Sequence, residues 1–258
     1  MIKRLFIDIE TAPNIVYSWR IGAKIHLGHH NIIQERAIIC VCWKWEGAKR
    51  VHYAEWDNGC DKELIKQVWA VLDEADEVIG HNSDRFDVPW INTRAIKHGL
   101  KPRAKVRYVD TLKMARKVFY FNNNKLDYLA QFLLGDKKAE TGGFDLWVDV
   151  MSGKKSAMKT MVDYCKKDVI LLERVYEKLA QYNDPHTHMG VIDGLARWTC
   201  PHCGSAKVHK NKTRVSAKGI KTHEMNCTKC KRYFPLAESQ FNAYIDRFNH
   251  LENMKENV

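Results

Sequence analysis

Arg4-Leu5-Phe6-Ile7-Asp8-Ile9-Glu10-Thr11 alternates strictly, with Leu5, Ile7 and Ile9 on one side and Phe6, Asp8 and Glu10 on the other. Alternation with β-branched residues is the pattern of a strand. Successive strand side chains point to opposite faces, so Asp8 and Glu10 share one face. Two neighbouring carboxylates repel unless something neutralises them. A strand edge in solvent tolerates such a pair. A divalent-metal site uses it, because Mg²⁺ takes carboxylate oxygens and one Asp can bridge two ions. Partner carboxylates further along the chain decide between the two.

Working outward, Thr11-Ala12-Pro13 breaks the strand, and residues 14–36 form a long irregular segment. It carries Tyr17, Trp19, Arg20 and Lys24, which suit a substrate-facing loop. His26, His29 and His30 lack companions at ligand spacing, so no metal site is read there. Ala37–Trp45 and Arg50–Trp56 read as a hairpin, and Asp61–Asp76 as an amphipathic helix. A strand at Glu77–Gly80, a helix at Asp87–His98 and a strand at Val106–Val109 follow. Helices are expected from Thr111, over Leu126–Leu134 and over Lys155–Tyr182. A hairpin followed by alternating strand and helix predicts an α/β domain with a mixed sheet flanked by helices.

Two later segments carry acids. Gly80-His81-Asn82-Ser83-Asp84-Arg85-Phe86-Asp87 lies at a strand-to-helix junction, where ligands gather in α/β folds. Asp87 there either caps its helix or faces a ligand. In Met161-Val162-Asp163-Tyr164-Cys165-Lys166-Lys167-Asp168, Tyr164 and Asp168 are four residues apart and share one helix face. Asp168 is either a solvated helix carboxylate or the partner of Asp8 and Glu10.

Taken together and in this order, D-x-E, N-x-x-x-F-D and Y-x-x-x-D resemble the motifs of the DEDD (DnaQ-like) 3′-to-5′ exonuclease superfamily, which has a ribonuclease H-like fold. The tyrosine resembles the DEDDy branch, which includes polymerase proofreading domains. The resemblance covers residues 1–182. Asp84 and Asp163 are rival carboxylates, but motif spacing favours Asp87 and Asp168. The resemblance implies that Asp8 bridges two Mg²⁺ or Mn²⁺ ions. It implies that Glu10 and Asp168 hold the ion that activates water and that Asp87 holds the other. Tyr164 would orient the attacking water, since an unperturbed phenol, pKa about 10, is a poor base at neutral pH. Thr11 and Asn82 are implied to position the terminal nucleotide, with Phe86 either joining them or structural, and Asp110 to support rather than ligate.

Asn183-Asp184-Pro185 begins a boundary expected over residues 183–197. Cys200-Pro201-His202-Cys203 and Cys227-Thr228-Lys229-Cys230 follow, with 23 residues between the pairs. Four thiolates at this spacing suit a tetrahedral structural Zn²⁺, so residues 198–236 are read as a zinc ribbon. Residues 237–258 are expected to form a terminal helix and tail. Nine basic residues (Lys207, Lys210, Lys212, Arg214, Lys218, Lys221, Lys229, Lys231 and Arg232) accompany a single acid, Glu224, so nucleic acid is the favoured partner of the ribbon.

The net charge of +11 likewise favours a polyanion. No apolar run approaches the ~18 residues of a membrane span. No signal peptide is visible, and Cys40, Cys42, Cys60 and Cys165 are read as buried, reduced thiols, so a cytoplasmic location is expected. The expected function is a 3′-5′ exonuclease on single-stranded DNA ends, in replication or repair, with a polymerase as a natural partner. A polymerase itself is not expected at 258 residues. An exoribonuclease, or a non-catalytic zinc-ribbon adaptor that grips nucleic acid, are the alternatives.

Overall fold

The first strand, β1 (Arg4–Thr11), is the centre of a five-stranded sheet. In the computed structural model the described residues are 2–22, 24–104, 106–136 and 143–255, with 248–255 described by backbone alone; residues 256–258 of the expected tail lie outside them. Beside β1 runs β4 (Ile38–Trp45), antiparallel, and beyond it β5 (His52–Glu55). On the other side β6 (Glu77–Gly80) and β7 (Arg107–Asp110) run parallel to β1. The order β5-β4-β1-β6-β7 is thus a mixed sheet. The 14–36 segment is less irregular than expected: β2 (Ile15–Val16) and β3 (Ile32–Gln34) pair as a small two-stranded sheet. Between them Trp19 and Ile21 stand fully exposed.

The alternation in β1 sorts its side chains as the pattern requires. Leu5, Ile7 and Ile9 join Ile38, Val41 and Trp43 in a core that packs on α1 (Lys62–Asp73) and α2 (Asp87–Lys97). Burying each such aliphatic side chain contributes about 1.5–3 kcal/mol. Phe6, Asp8 and Glu10 face the opposite way, where α6 (Lys155–Leu179) lies across β1 and β4. Phe6 meets Tyr176 of α6 edge-on at 5.4 Å. The helices α3 (Thr111–Val118), α4 (Leu126–Leu134) and α5 (Asp145–Met151) also pack on α6. The α6 helix ends three residues before the expected Tyr182. Of the four cysteines expected to be buried here, Cys60 is exposed.

Two polar ties fix this frame. Asp61, fully buried, receives Arg94 Nε at 2.6 Å and Nη2 at 2.7 Å, His98 Nε2 at 2.6 Å and the Ile38 amide at 3.0 Å. Burial works against its charge, yet Arg94, His98 and the Ile38 amide outweigh it and hold the carboxyl below the usual range. On the α6 side Glu173 pairs with the buried Lys44 and accepts from the Gly47 amide.

The chain divides into two compact units, Lys3–Leu179 and a second made chiefly of Ala180–Val258. In the second, α7 (Met189–Ile192) interrupts the expected linker. The strands β8 (Val208–Val215), β9 (Lys221–Cys227) and β10 (Tyr233–Ala237) form an antiparallel sheet in the order β10-β9-β8. The terminal helix α8 (Glu238–Lys255) contributes Tyr244 to the core of this sheet, with Trp198, Met225, Phe234 and Leu236. Tyr244 Oη donates to the Val208 carbonyl at 3.1 Å, and Phe241 stacks on His223 at 3.7 Å. The ribbon and the helix after it therefore share one core.

Candidate active site

β1 and β6 pair only as far as Phe6 and Ile79, so the C-terminal half of β1 has no strand partner from β6. Asp8 and Glu10 lie in this half, both partly buried, opposite Cys42 and Cys40 of β4. From α6 comes Asp168, buried to 4% exposure. One carboxylate oxygen from each of Asp8, Glu10 and Asp168 lies within 4.8 Å of the others. Three acids this close suit a divalent cation, which takes carboxylate oxygens and cancels their repulsion. The rival Asp163 is exposed and 3.8 Å from Lys166. Tyr164, four residues before Asp168, is partly buried on the same helix.

Asp87 is the first residue of α2 and is 3% exposed. It is not one of the three clustered acids among the described residues, but its carboxyl receives the amide of Ile9, which sits between Asp8 and Glu10. Burial pushes this carboxyl up to about 7; its own amide and that of Ile9 oppose the rise, and nearby Asp110 adds to it. A cation is what would return such a group to its charged form. The donor set therefore fits divalent metal. Asp84, the other rival, is tied to Lys113 by an ion pair.

The segment that carries Asn82 and Asp87 is tightly built. A Cβ on Gly80 would lie 2.4 Å from the Ser83 Cβ, so only glycine lets the chain fold back here. Asn82 has a left-handed φ of 61°, which Asn tolerates better than most residues. Its amide donates to Asp110 Oδ1 at 2.9 Å, and the Leu112 amide donates to the same oxygen. Asp110 thus caps α3 and braces the Asn82 turn, the supporting role expected of it.

Thr11 and Phe86 line a cavity of 520 Å³ together with Arg36, Trp90, Phe144 and Trp147. Trp147 Nε1 donates to the Thr11 carbonyl at 3.1 Å, and the Arg36 guanidinium lies over the Trp90 ring at 4.8 Å. Asn82 is not among its lining residues. Sequence reading missed Arg36, Trp90 and Trp147, which come from separate parts of the chain and share no local spacing. It also missed the place of Cys165. That thiol lies 3.4 Å from the Asp8 carbonyl and 3.6 Å from its Oδ2.

In the second unit Cys200, Cys203, Cys227 and Cys230 form the other cluster suited to a metal among the described residues. Cys200 and Cys230 sulfurs are 3.6 Å apart, and those of Cys203 and Cys227 3.7 Å. Tetrahedral thiolates at about 2.3 Å from an ion stand close to this separation. The amides of His202 and Cys203 face the Cys200 sulfur, and those of Lys229 and Cys230 face Cys227. Burial raises the Cys227 thiol, but these amides and the neighbouring thiols outweigh it and bring it down to about 7. The spare histidines have other partners: His223 bonds Glu238 and Thr213, and His202 lies 3.0 Å from Arg232. Glu224 draws Arg214 at 2.8 Å and Lys212 at 3.6 Å.

No curated protein matches the chain. Among solved structures it is similar to the family B DNA polymerase of the hyperthermophilic archaeon Pyrobaculum calidifontis, with 18% identity and a TM-score of 0.50. That likeness is one of fold; it covers 70% of this chain but only 25% of the polymerase. None of its described helices is long and apolar enough to cross a membrane. The RNase_H superfamily model matches residues 30–180, a span that starts after β1, so the Asp8 and Glu10 assignment stands on the geometry above. With more than half of its residues in that match and a mixed five-stranded sheet flanked by helices, the chain belongs to the RNase_H superfamily.

Proposed function

We propose that this protein is a divalent-metal-dependent 3′-to-5′ exonuclease that releases nucleoside monophosphates from single-stranded DNA. The observation that carries the reading is the meeting of Asp8, Glu10 and Asp168 within 4.8 Å. Membership of the RNase_H superfamily supports a nuclease in general. Asp8, Glu10 and Asp168 would hold Mg²⁺ or Mn²⁺, with Asp87 as the fourth acid. Bound ions supply charge stabilisation at the phosphate and a more acidic water. Tyr164 would orient that water through its hydroxyl. Thr11, Asn82 and Phe86 would position the terminal nucleotide, with Trp90 and Trp147 as aromatic walls and Arg36 as a phosphate partner.

The likeness to a DNA polymerase favours DNA and suggests a proofreading or repair setting beside a polymerase. The four cysteines would hold one structural Zn²⁺, which fits a reducing cytoplasm. The basic ribbon would add affinity for the strand. A time course on 5′-labelled single-stranded DNA and RNA, with Mg²⁺, Mn²⁺ or EDTA, tests the reading. Stepwise shortening from the 3′ end, silenced by EDTA, is expected. Internal cuts, or no cleavage with either metal, would reject it; faster loss of RNA would move the substrate to RNA.

A further inference from the structure

The connection from α3 to α4 carries an aromatic cluster that the catalytic reading leaves unused. The rings of Phe119 and Phe121 are 5.2 Å apart, Phe121 meets Phe132 edge-on at 5.4 Å, and Phe132 stacks with Tyr128 at 6.1 Å. Phe132 is 64% exposed and Tyr120 is fully exposed. Exposed rings grouped in this way mark a surface that something covers. Arg116, Lys117 and Lys125, close to these rings in the chain, are all exposed, and Asp127 is the one carboxylate between residues 113 and 132.

The cluster is held in place. His81 Nε2 donates to the Asn124 carbonyl at 2.9 Å, and His81 Nδ1 lies 2.9 Å from Thr111 Oγ1. Leu126, Leu129 and Ala130 root α4 in the core. His81 immediately precedes Asn82, so the aromatic connection is tied to the segment from which Asn82 and Asp87 rise.

We propose that this cluster is a stacking platform for single-stranded nucleic acid, engaging bases on the 5′ side of the nucleotide being removed. The proposal rests on the nuclease reading for the identity of its strand. Protein-docking patches are depleted in lysine at their centres, whereas single-strand tracks combine aromatic faces with basic side chains. The mix of Tyr120, Phe132, Arg116, Lys117 and Lys125 is of the second kind. Stacking also tolerates any base, as an enzyme that shortens strands of any sequence requires.

Fluorescence anisotropy of a labelled single-stranded 12-mer in buffer without added Mg²⁺ or Mn²⁺, where cleavage is silent and the proposed zinc is left in place, tests this in the full chain. The Tyr120→Ala/Phe132→Ala variant should bind at least tenfold more weakly than the wild type. Tyr120→Ala alone, which removes a ring with no packing role, should lose several-fold. Abasic sites in the strand should weaken wild-type binding and leave the double variant nearly unchanged. Equal affinity for the wild type and both variants overturns the proposal, with a protein then the better occupant; so does a wild type that fails to bind. A wild type that binds in this pattern but never cleaves would defeat the exonuclease reading and leave the platform standing. A cleaving wild type whose variants bind equally well would do the reverse.

Discussion

The Cys165 thiol lies 3.6 Å from Oδ2 of Asp8 and 3.4 Å from its carbonyl oxygen. Burial, with Cys40 and Cys42 beside it, pushes this thiol up, so it stays a donor. It therefore braces Asp8, a residue on which the proposed metal site depends. Partners of metal-holding side chains typically govern metal affinity by about 10–100-fold. Cys165→Ala should raise the Mn²⁺ concentration for half-maximal activity by about tenfold, and Cys165→Ser, which keeps a donor, should lose less. Indistinguishable Mn²⁺ titrations for the wild type and Cys165→Ala would leave the thiol as packing alone.

Asp61 bears on stability rather than chemistry. Its depressed carboxyl contributes stability that is fully present above the ordinary carboxylate range, about 3.9, and is lost as pH falls through the lower folded value. Asp61→Asn leaves Arg94 buried beside a neutral amide. A loss of about 3–5 kcal/mol is expected at pH 7, shrinking toward pH 3. Urea unfolding across this pH range measures it. A flat difference between the two proteins would show that the Asp61 charge does not stabilise the fold.

Tyr164 is proposed to act on water, not on metal. Tyr164→Phe should lower single-turnover cleavage by less than loss of an acid does, with about 2.7–4 kcal/mol as the upper guide from a single catalytic hydrogen bond. Metal affinity should stay as in the wild type. An unchanged cleavage rate would reduce Tyr164 to a packing residue of α6.

The ribbon carries two separable expectations. The chain should contain about one Zn²⁺ by elemental analysis, lost in Cys227→Ser/Cys230→Ser. Replacing Lys212, Lys218 and Lys221 by Ala should flatten the salt dependence of strand binding by about 2 in log-log slope, near 0.7 for each phosphate contact removed. An unaltered slope would point the basic face at a protein instead.

Much of the candidate site's placement was legible because its signals are local. Alternation in β1 put Asp8 and Glu10 on one face, and the four-residue step put Tyr164 and Asp168 on one side of α6. The two cysteine pairs carry their own spacing. What stayed hidden depends on distant partners. Asp61 reads as a helix start, yet its side chain makes no cap and instead joins Arg94, 33 residues on. The strands Ile15–Val16 and Ile32–Gln34 are too short to show a period, and α5 is a helix of only seven residues. The packing of α8 on the ribbon rests on Phe241 and Tyr244, whose partners lie on β8 and β9.

Asp8 is proposed to organise a metal-dependent nuclease centre, and one comparison tests this most directly. Single-turnover degradation of a 5′-labelled single-stranded DNA in Mg²⁺ is measured for the wild type and for Asp8→Ala, with circular dichroism confirming equal folding. The variant should lose several orders of magnitude in rate, because carboxylate-held metal provides most of the charge stabilisation at the phosphate. Near wild-type cleavage by a folded, pure Asp8→Ala protein would contradict that role.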